Sequence, residues 1–224
     1  MQFARRVALV AVLALVGTSA LAGCRSDPHV AAYAGDRKYT VEQLDALVAE
    51  GTKVAISDDR TEVRQVMLSW LLIRDVGRPA ARERNLPLQP ASAAQLAENS
   101  GLPADSPLAQ LYVDVAAVLQ AFATSVEPVE PTEADQREAF SSLRVQGNRI
   151  PNGFAQVRPY LTRETIGRQL ALRGTLADLL ADGDVVVNPK YAPVTYPVPI
   201  QIGGATGRVY LQVSTETSTV RDRV

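Results

Sequence analysis

Apolar residues recur at helical spacing along several stretches of this chain and gather into short unbroken runs in others. Val30-Ala31-Ala32-Tyr33 is such a run and predicts a strand, with Gly35-Asp36 as the turn after it. Thr40-Val41-Glu42-Gln43 has the form of a capping box, a hydroxyl at the N-cap and an amide three residues on. Leu44, Leu47 and Val48 follow at helical spacing, and Gly51 can end that helix. Asp58 and Asp59 open a second helix whose apolar positions, Val63, Val66, Met67, Trp70, Leu71, Ile73 and Val76, cover more than one stripe. Such a helix is buried around much of its circumference. Gly77 and Pro79 are expected to break or bend it, Ala80–Arg84 to continue as helix, and Asn85-Leu86-Pro87 to stop it.

Further along, a short helix is expected within Pro90–Ser100, closed by Gly101. Ser106-Pro107 places a hydroxyl cap before a proline at the first helical position. Leu108, Leu111, Tyr112, Val115, Val118, Leu119 and Phe122 then mark an amphipathic helix. Pro128 and Pro131 bracket a stiff linker, and Thr132 caps a helix carrying Phe140 and Leu143. Gln146–Gly153 reads as a polar loop, and Phe154, Val157, Tyr160 and Leu161 as a short apolar patch. A long helix follows from Glu164 to Ala181, then a turn at Asp182-Gly183-Asp184 and a strand at Val185-Val186-Val187. After Lys190 prolines punctuate the chain. Ile200–Ile202 and Arg208–Val213 flank a glycine-rich loop, which predicts a β-hairpin ahead of a polar, frayed Ser214–Val224 tail.

The N-terminus has a different character. Arg5 and Arg6 precede an apolar run, Val7 to Val16, and Leu21-Ala22-Gly23 leads to Cys24, the one cysteine of the chain. This is the build of a secretory signal. Its ending resembles the lipobox of bacterial lipoproteins, in which signal peptidase recognises residues such as Leu21, Ala22 and Gly23. There the cysteine thiol receives diacylglycerol and the cysteine becomes the first mature residue, which in some members also takes an N-acyl chain. That resemblance implies lipidation at Cys24 and a protein exported and lipid-anchored to the outer face of the cell membrane. Val7–Ala22 is shorter than the roughly 20 apolar residues that a spanning helix needs.

Removing residues 1–23 takes away Arg5 and Arg6 and no acid, which leaves a small net negative charge. Nucleic-acid binders concentrate positive charge, so a polyanion partner is not expected. A lipidated Cys24 leaves no thiol for a disulfide, a thiolate metal site or a cysteine nucleophile. His29 is the single histidine and reads as a solvated linker residue, which disfavours triad chemistry and histidine metal clusters. No metal or cofactor is expected beyond the covalent lipid. Gly203-Gly204-Ala205-Thr206-Gly207 lacks the following lysine and helix of a phosphate loop and reads as a turn, so no nucleotide is expected. The carboxylate pairs Asp58/Asp59, Glu127/Glu130 and Asp182/Asp184 fall at a helix start, a linker and a turn, where acids serve local structure. Trp70, Tyr112, Phe122, Phe154 and Tyr160 are candidates to line a groove for apolar segments; the competing reading is that they are core.

The run from Val30 through Gly35-Asp36 to Thr40-Val41-Glu42-Gln43-Leu44 resembles the N-terminal module of SurA/PrsA-type chaperones: an apolar strand, a tight turn and a threonine-capped helix. Val63–Val76, with the exit Ala80-Ala81-Arg82-Glu83-Arg84-Asn85-Leu86, is similar to that family's second helix. Val185-Val186-Val187-Asn188-Pro189-Lys190-Tyr191 resembles its returning strand. Full-length members carry a parvulin prolyl-isomerase domain before the closing helix, with histidines at its active site. Only Arg144–Gly153 stands there in this chain, so the resemblance implies the chaperone module without the isomerase, and no catalytic residue.

The expected fold is therefore mostly α: a signal peptide at 1–23, a tether at 24–29, a helical domain at 30–191 and a Pro/Gly-rich β extension with its tail at 192–224. Val30–Tyr33 is expected to pair with Val185–Val187, closing the helical domain. The expected function is a membrane-anchored, non-catalytic holdase that takes apolar segments of unfolded exported or envelope proteins into a groove between helices. The alternative is a structural adaptor lipoprotein that binds one specific envelope partner, for instance by strand addition at the hairpin. An extracytoplasmic enzyme would need a cleft of convergent polar groups, and no such set is legible.

Overall fold

The first and last apolar runs of the helical domain lie side by side. In chain order, the computed structural model contains β1 (Val30–Ala34), β2 (Arg37–Thr40), α1 (Val41–Gly51), α2 (Arg60–Glu83), α3 (Pro107–Ala123), α4 (Glu133–Ser142), β3 (Arg144–Val145), β4 (Asn148–Arg149), α5 (Phe154–Val157), α6 (Arg168–Asp182), β5 (Val185–Val187), β6 (Val194–Ile202) and β7 (Ala205–Ser214). A π-helical turn, Arg163–Gly167, leads into α6, and single 3-10 turns span Arg158–Tyr160 and Pro189–Tyr191. The structure describes residues 27–52, 59–89, 92, 103–145, 148–149 and 153–214. The expected helix within Pro90–Ser100, the cap residue Asp58, the Leu21–Cys24 motif and the tail after Ser214 lie outside the described residues.

β1 is the central strand of a three-stranded sheet ordered β2-β1-β5. It pairs antiparallel with β5 in the register Ala32↔Val187, Tyr33↔Val186 and Ala34↔Val185, as the sequence led us to expect. Two further bonds complete the clasp: the Asn188 N–H donates to the Ala31 carbonyl at 2.9 Å, and the Asn188 side-chain amide donates to the Val30 carbonyl at 3.0 Å. Val30, Ala31 and Ala32 are fully buried, so the strand fills space between its neighbours and the helices. Strand β2 was not anticipated. Arg37-Lys38-Tyr39-Thr40 is polar, and only Tyr39 turns inward, so no apolar run announces it.

Local chemistry sets the helix starts. Thr40 and Thr132 both form complete capping boxes, with Gln43 and Asp135 respectively, while Ser106 and Asp59 cap α3 and α2 through their side chains. At the end of α2 the Leu86 N–H donates to the Ala81 carbonyl and the Asn85 N–H to the Arg82 carbonyl, with Asn85 at φ +54°. That pair of bonds is the Schellman ending, and Asn85 supplies its left-handed residue.

The expected break at Gly77 and Pro79 does not occur: α2 is one helix from Arg60 to Glu83. A proline inside a helix forfeits one backbone bond, but α2 is buried along Val63, Val66, Met67, Leu68, Trp70, Leu72 and Ile73, and this packing outweighs the loss. Gly77 serves contact rather than disruption. A β-carbon there would collide with Val118 of α3, so the glycine lets the two helices approach closely.

The second sheet is ordered β4-β3-β7-β6. Gly203 and Gly204, at φ +57° and +86°, form the two-residue turn of its long hairpin, where both positions require left-handed backbone. Along β6, Val194, Tyr196, Val198 and Ile200 are buried, and Val209, Leu211 and Val213 of β7 join them. These residues belong to the same core cluster as the helices. The segment after residue 191, expected as an extension, thus completes the helical core. Ser69 of α2 fixes it in place: its hydroxyl accepts from the Thr195 N–H at 2.9 Å and donates to the Gln65 carbonyl at 2.6 Å. Helix α4 covers the part of β7 that β3 does not reach. Ser142 Oγ accepts from the Tyr210 N–H and Glu138 Oε1 from the Gln212 N–H, both at 3.1 Å. Strand edges left open recruit other chains, and this one is closed from within. Glu138 and Asp135 also grip Arg173 of α6, at 2.8 and 2.7 Å. Among the described residues no helix is long and apolar enough to cross a membrane.

Candidate functional site

The five aromatic candidates do not share one groove. Trp70 and Phe122 are core: Trp70 is buried among the residues of α2 and α3, and Phe122 is fully inaccessible. Their helical spacing reflected inward packing. Tyr112 stands edge-on to Trp70, 5.7 Å between ring centres, and is 36% exposed. Phe154 belongs to a different place. It lies edge-on to Phe140 at 5.7 Å, with the Arg137 guanidinium 4.6 Å above its ring. Tyr160, 40% exposed, flanks the hairpin near Gly203. The large apolar or aromatic side chains exposed among the described residues are Tyr112, Val129 and Tyr160. His29 is a surface residue whose backbone N–H donates to Asp27 Oδ1 at 2.9 Å. Cys24, Leu21, Ala22 and Gly23 lie outside the described residues.

A concave feature of the described surface lies elsewhere. An open cleft of about 570 Å³ runs between the second half of α2, the β1–β2 turn and the C-terminal end of α6. Its floor is formed by close packing of small residues. The Gly35 N–H donates to the Gly183 carbonyl at 3.0 Å, and a β-carbon on Gly183 would press on Val76. Gly35 takes φ +55° in the turn between β1 and β2. Five arginines line the cleft, Arg37, Arg74, Arg78, Arg82 and Arg84, against three acids, Asp75, Glu83 and Asp182. This local excess of positive charge sits on a chain whose formal net charge is −1.

Asp75 is the electrostatic centre. Its side chain is only 11% exposed, and it receives three partners. Arg37 approaches Oδ2 at 2.5 Å, Arg74 grips both oxygens at 2.6 and 3.0 Å, and the Tyr39 hydroxyl donates at 2.7 Å. Burial alone would push the Asp75 carboxyl up; the hydrogen bonds from Arg74, Tyr39 and Arg37 outweigh it and hold the group below its ordinary value. Tyr39 moves the other way, since burial and then the neighbouring carboxylate keep its hydroxyl protonated. Asp75 is thus favoured as the carboxylate and Tyr39 as the neutral phenol, an arrangement that orients the two arginines.

The remaining arginines are less committed. Arg78 pairs with Asp114 of α3 at 2.6 Å, in a partly exposed pair. Arg84 lies over the Phe122 ring, 5.5 Å from its centre. Arg82 is exposed and has no side-chain partner among the described residues. Arg74, Arg78 and Arg82 repeat every four residues along α2, a spacing present in the sequence. Arg37 and Tyr39 stand two apart on β2, and Asp75 lies 36 residues beyond Tyr39 with no motif to link them, so only the fold brings the carboxylate to the strand. Among the described residues no group of three His, Cys, Asp or Glu side chains could hold a metal ion. No family model matches this chain, and no curated protein or solved structure is significantly similar to it.

Proposed function

We propose that this chain is an exported, lipid-anchored, non-catalytic chaperone-like protein that binds exported or envelope polypeptides. The observation that carries the proposal is the pairing of β1 with β5, which joins the first strand, its glycine turn and the Thr40-capped helix to the strand after the closing helix. That arrangement supports the resemblance to the N-terminal module of SurA/PrsA-type chaperones. Anchoring rests on Leu21-Ala22-Gly23-Cys24. The absence of catalysis in this reading follows from the single histidine and from the orienting role of the Asp75 cluster.

The adaptor reading, one specific envelope partner in place of many unfolded clients, is favoured by one observation. Among the described residues the exposed large apolar or aromatic side chains are only Tyr112, Val129 and Tyr160, while the described cleft is lined by five arginines. Residues 25–224 added in excess to several aggregating client proteins test the holdase reading. Suppression of light scattering across unrelated clients is expected, and no effect on any of them removes it. Capture from the native envelope separates the two readings, with many unrelated polypeptides for the chaperone and one stoichiometric partner for the adaptor.

A further inference from the structure

We propose that the arginine-lined cleft holds a short, extended, acidic segment of a partner polypeptide. Its alternate carboxylates would lie on Arg78 and Arg82, with Arg37 meeting the same segment from β2. Helix positions four apart are separated by about 6 Å along the axis. Side chains on one face of an extended chain recur every 6.6 to 6.8 Å or so. The arginine ladder of α2 therefore matches a segment with an acid at every second position. Guanidinium groups suit this task because they bind carboxylates through paired N–H donors.

The three arginines are available to different degrees, and each is available enough. Arg82 is exposed and has no side-chain partner among the described residues. Arg37 is 60% exposed and makes one ion pair, to Asp75. Arg78 shares its charge with Asp114 in a partly exposed pair, and such pairs contribute about 0–1 kcal/mol, so a guest carboxylate can compete for it. Arg74 stays with Asp75 and stiffens the wall. The cleft is partly open to solvent.

Its position favours a polypeptide over the membrane's own anionic headgroups. The chain enters β1 at Val30, on the side of Cys24, and the cleft forms at the opposite end of that strand, beside Ala34 and Gly35. Four steps of an extended strand cover about 13 Å. With Cys24 as the anchor, the cleft stands at the end of β1 farther along the chain from the attached residue.

This inference rests on the reading of the chain as a polypeptide-binding module, and the two can fail separately. The test uses the full chain in phosphatidylcholine liposomes and a fluorescent eight-residue peptide with glutamate at alternate positions. Anisotropy should report binding that weakens with salt, and the glutamine version of the peptide should bind about tenfold more weakly or worse. Arg82→Glu should lose about tenfold in affinity at an unchanged melting temperature, since the side chain is exposed, whereas Arg158→Glu, outside the cleft, should bind as before. Arg78→Glu should lose as much. Equal binding of the two peptides, or full binding by Arg82→Glu, overturns the proposal. So does loss of peptide binding when phosphatidylglycerol is included, which would assign the cleft to lipid headgroups. Suppression of aggregation for neutral clients with no preference for the acidic peptide would keep the chaperone reading and remove this one.

Discussion

Gly167 and Val129 meet backbone to backbone. The Val129 N–H donates to the Gly167 carbonyl at 3.1 Å, and a β-carbon at position 167 would stand well inside contact distance of the Val129 carbonyl oxygen. The proline-bracketed linker is thereby laid against the π-helical turn that begins the closing helix. A backbone neighbour cannot rotate aside as a side chain can. Gly167→Ala is therefore expected to destabilise the fold by about 1–3 kcal/mol despite alanine's better helix propensity. Urea denaturation of the two proteins measures this.

Gly77 against Val118 is the softer version of the same contact, because the obstruction is a side chain. Gly77→Ala should be destabilising on its own, and Val118→Ala should remove the collision and reverse most of that cost. A double-mutant cycle with a coupling of about 0.5–3 kcal/mol is the expected result. Additivity of the two changes would show that α2 and α3 do not depend on this approach.

Ser69→Ala leaves the Thr195 N–H without its acceptor in a buried place. The expected loss is about 1–3 kcal/mol, the cost of an unsatisfied buried donor. Hydrogen exchange should show the start of β6 opening ahead of the rest of its sheet.

Asp75 and Asp135 are both held below the ordinary carboxylate range. Burial opposes this at each, and the hydrogen bonds prevail, from Arg74, Tyr39 and Arg37 at Asp75 and from Thr132 and Arg173 at Asp135. A depressed folded-state value stabilises the protein above the ordinary value of 3.8 and loses that contribution as pH falls through the folded one. Stability should thus be level toward neutral pH and fall on acidification below that point. Asp75→Asn should lower stability at pH 7 by about 1.5–3 kcal/mol and flatten the acid dependence, as followed by thermal melts across pH.

Cys24→Ala should leave the fold intact and abolish membrane attachment, because the described structure begins at Asp27 and draws nothing from the cysteine. Fractionation of the producing cells, together with the mass of the purified chain, checks both the anchor and the cleavage after Gly23.

Features governed by near neighbours were legible in the sequence. Thr40 with Gln43, Ser106 with Pro107, and Thr132 each mark a helix start because a cap is a bond between residues three apart. Gly203-Gly204 marks a turn because few other residues take left-handed backbone twice in succession. The pairing of β1 with β5 was legible through likeness to a known arrangement, since nothing local links residues 155 positions apart. What escaped were elements without an apolar signature, such as β2 and the two-residue strands β3 and β4, which owe their form to the strands beside them.

The sequence alone determined where the capped helices begin and where the chain turns. Only the tertiary structure decided which of those helices face which. It kept α2 whole through Gly77 and Pro79, since packing around much of the helix outweighs a lost bond. It sent Trp70 and Phe122 inward, because a helical stripe announces burial and not the partner. It also gathered Arg37 and Tyr39 of β2 against Asp75 in the second half of α2. Charge acts through space, and the spacing of those residues along the chain says nothing of their distance across the fold.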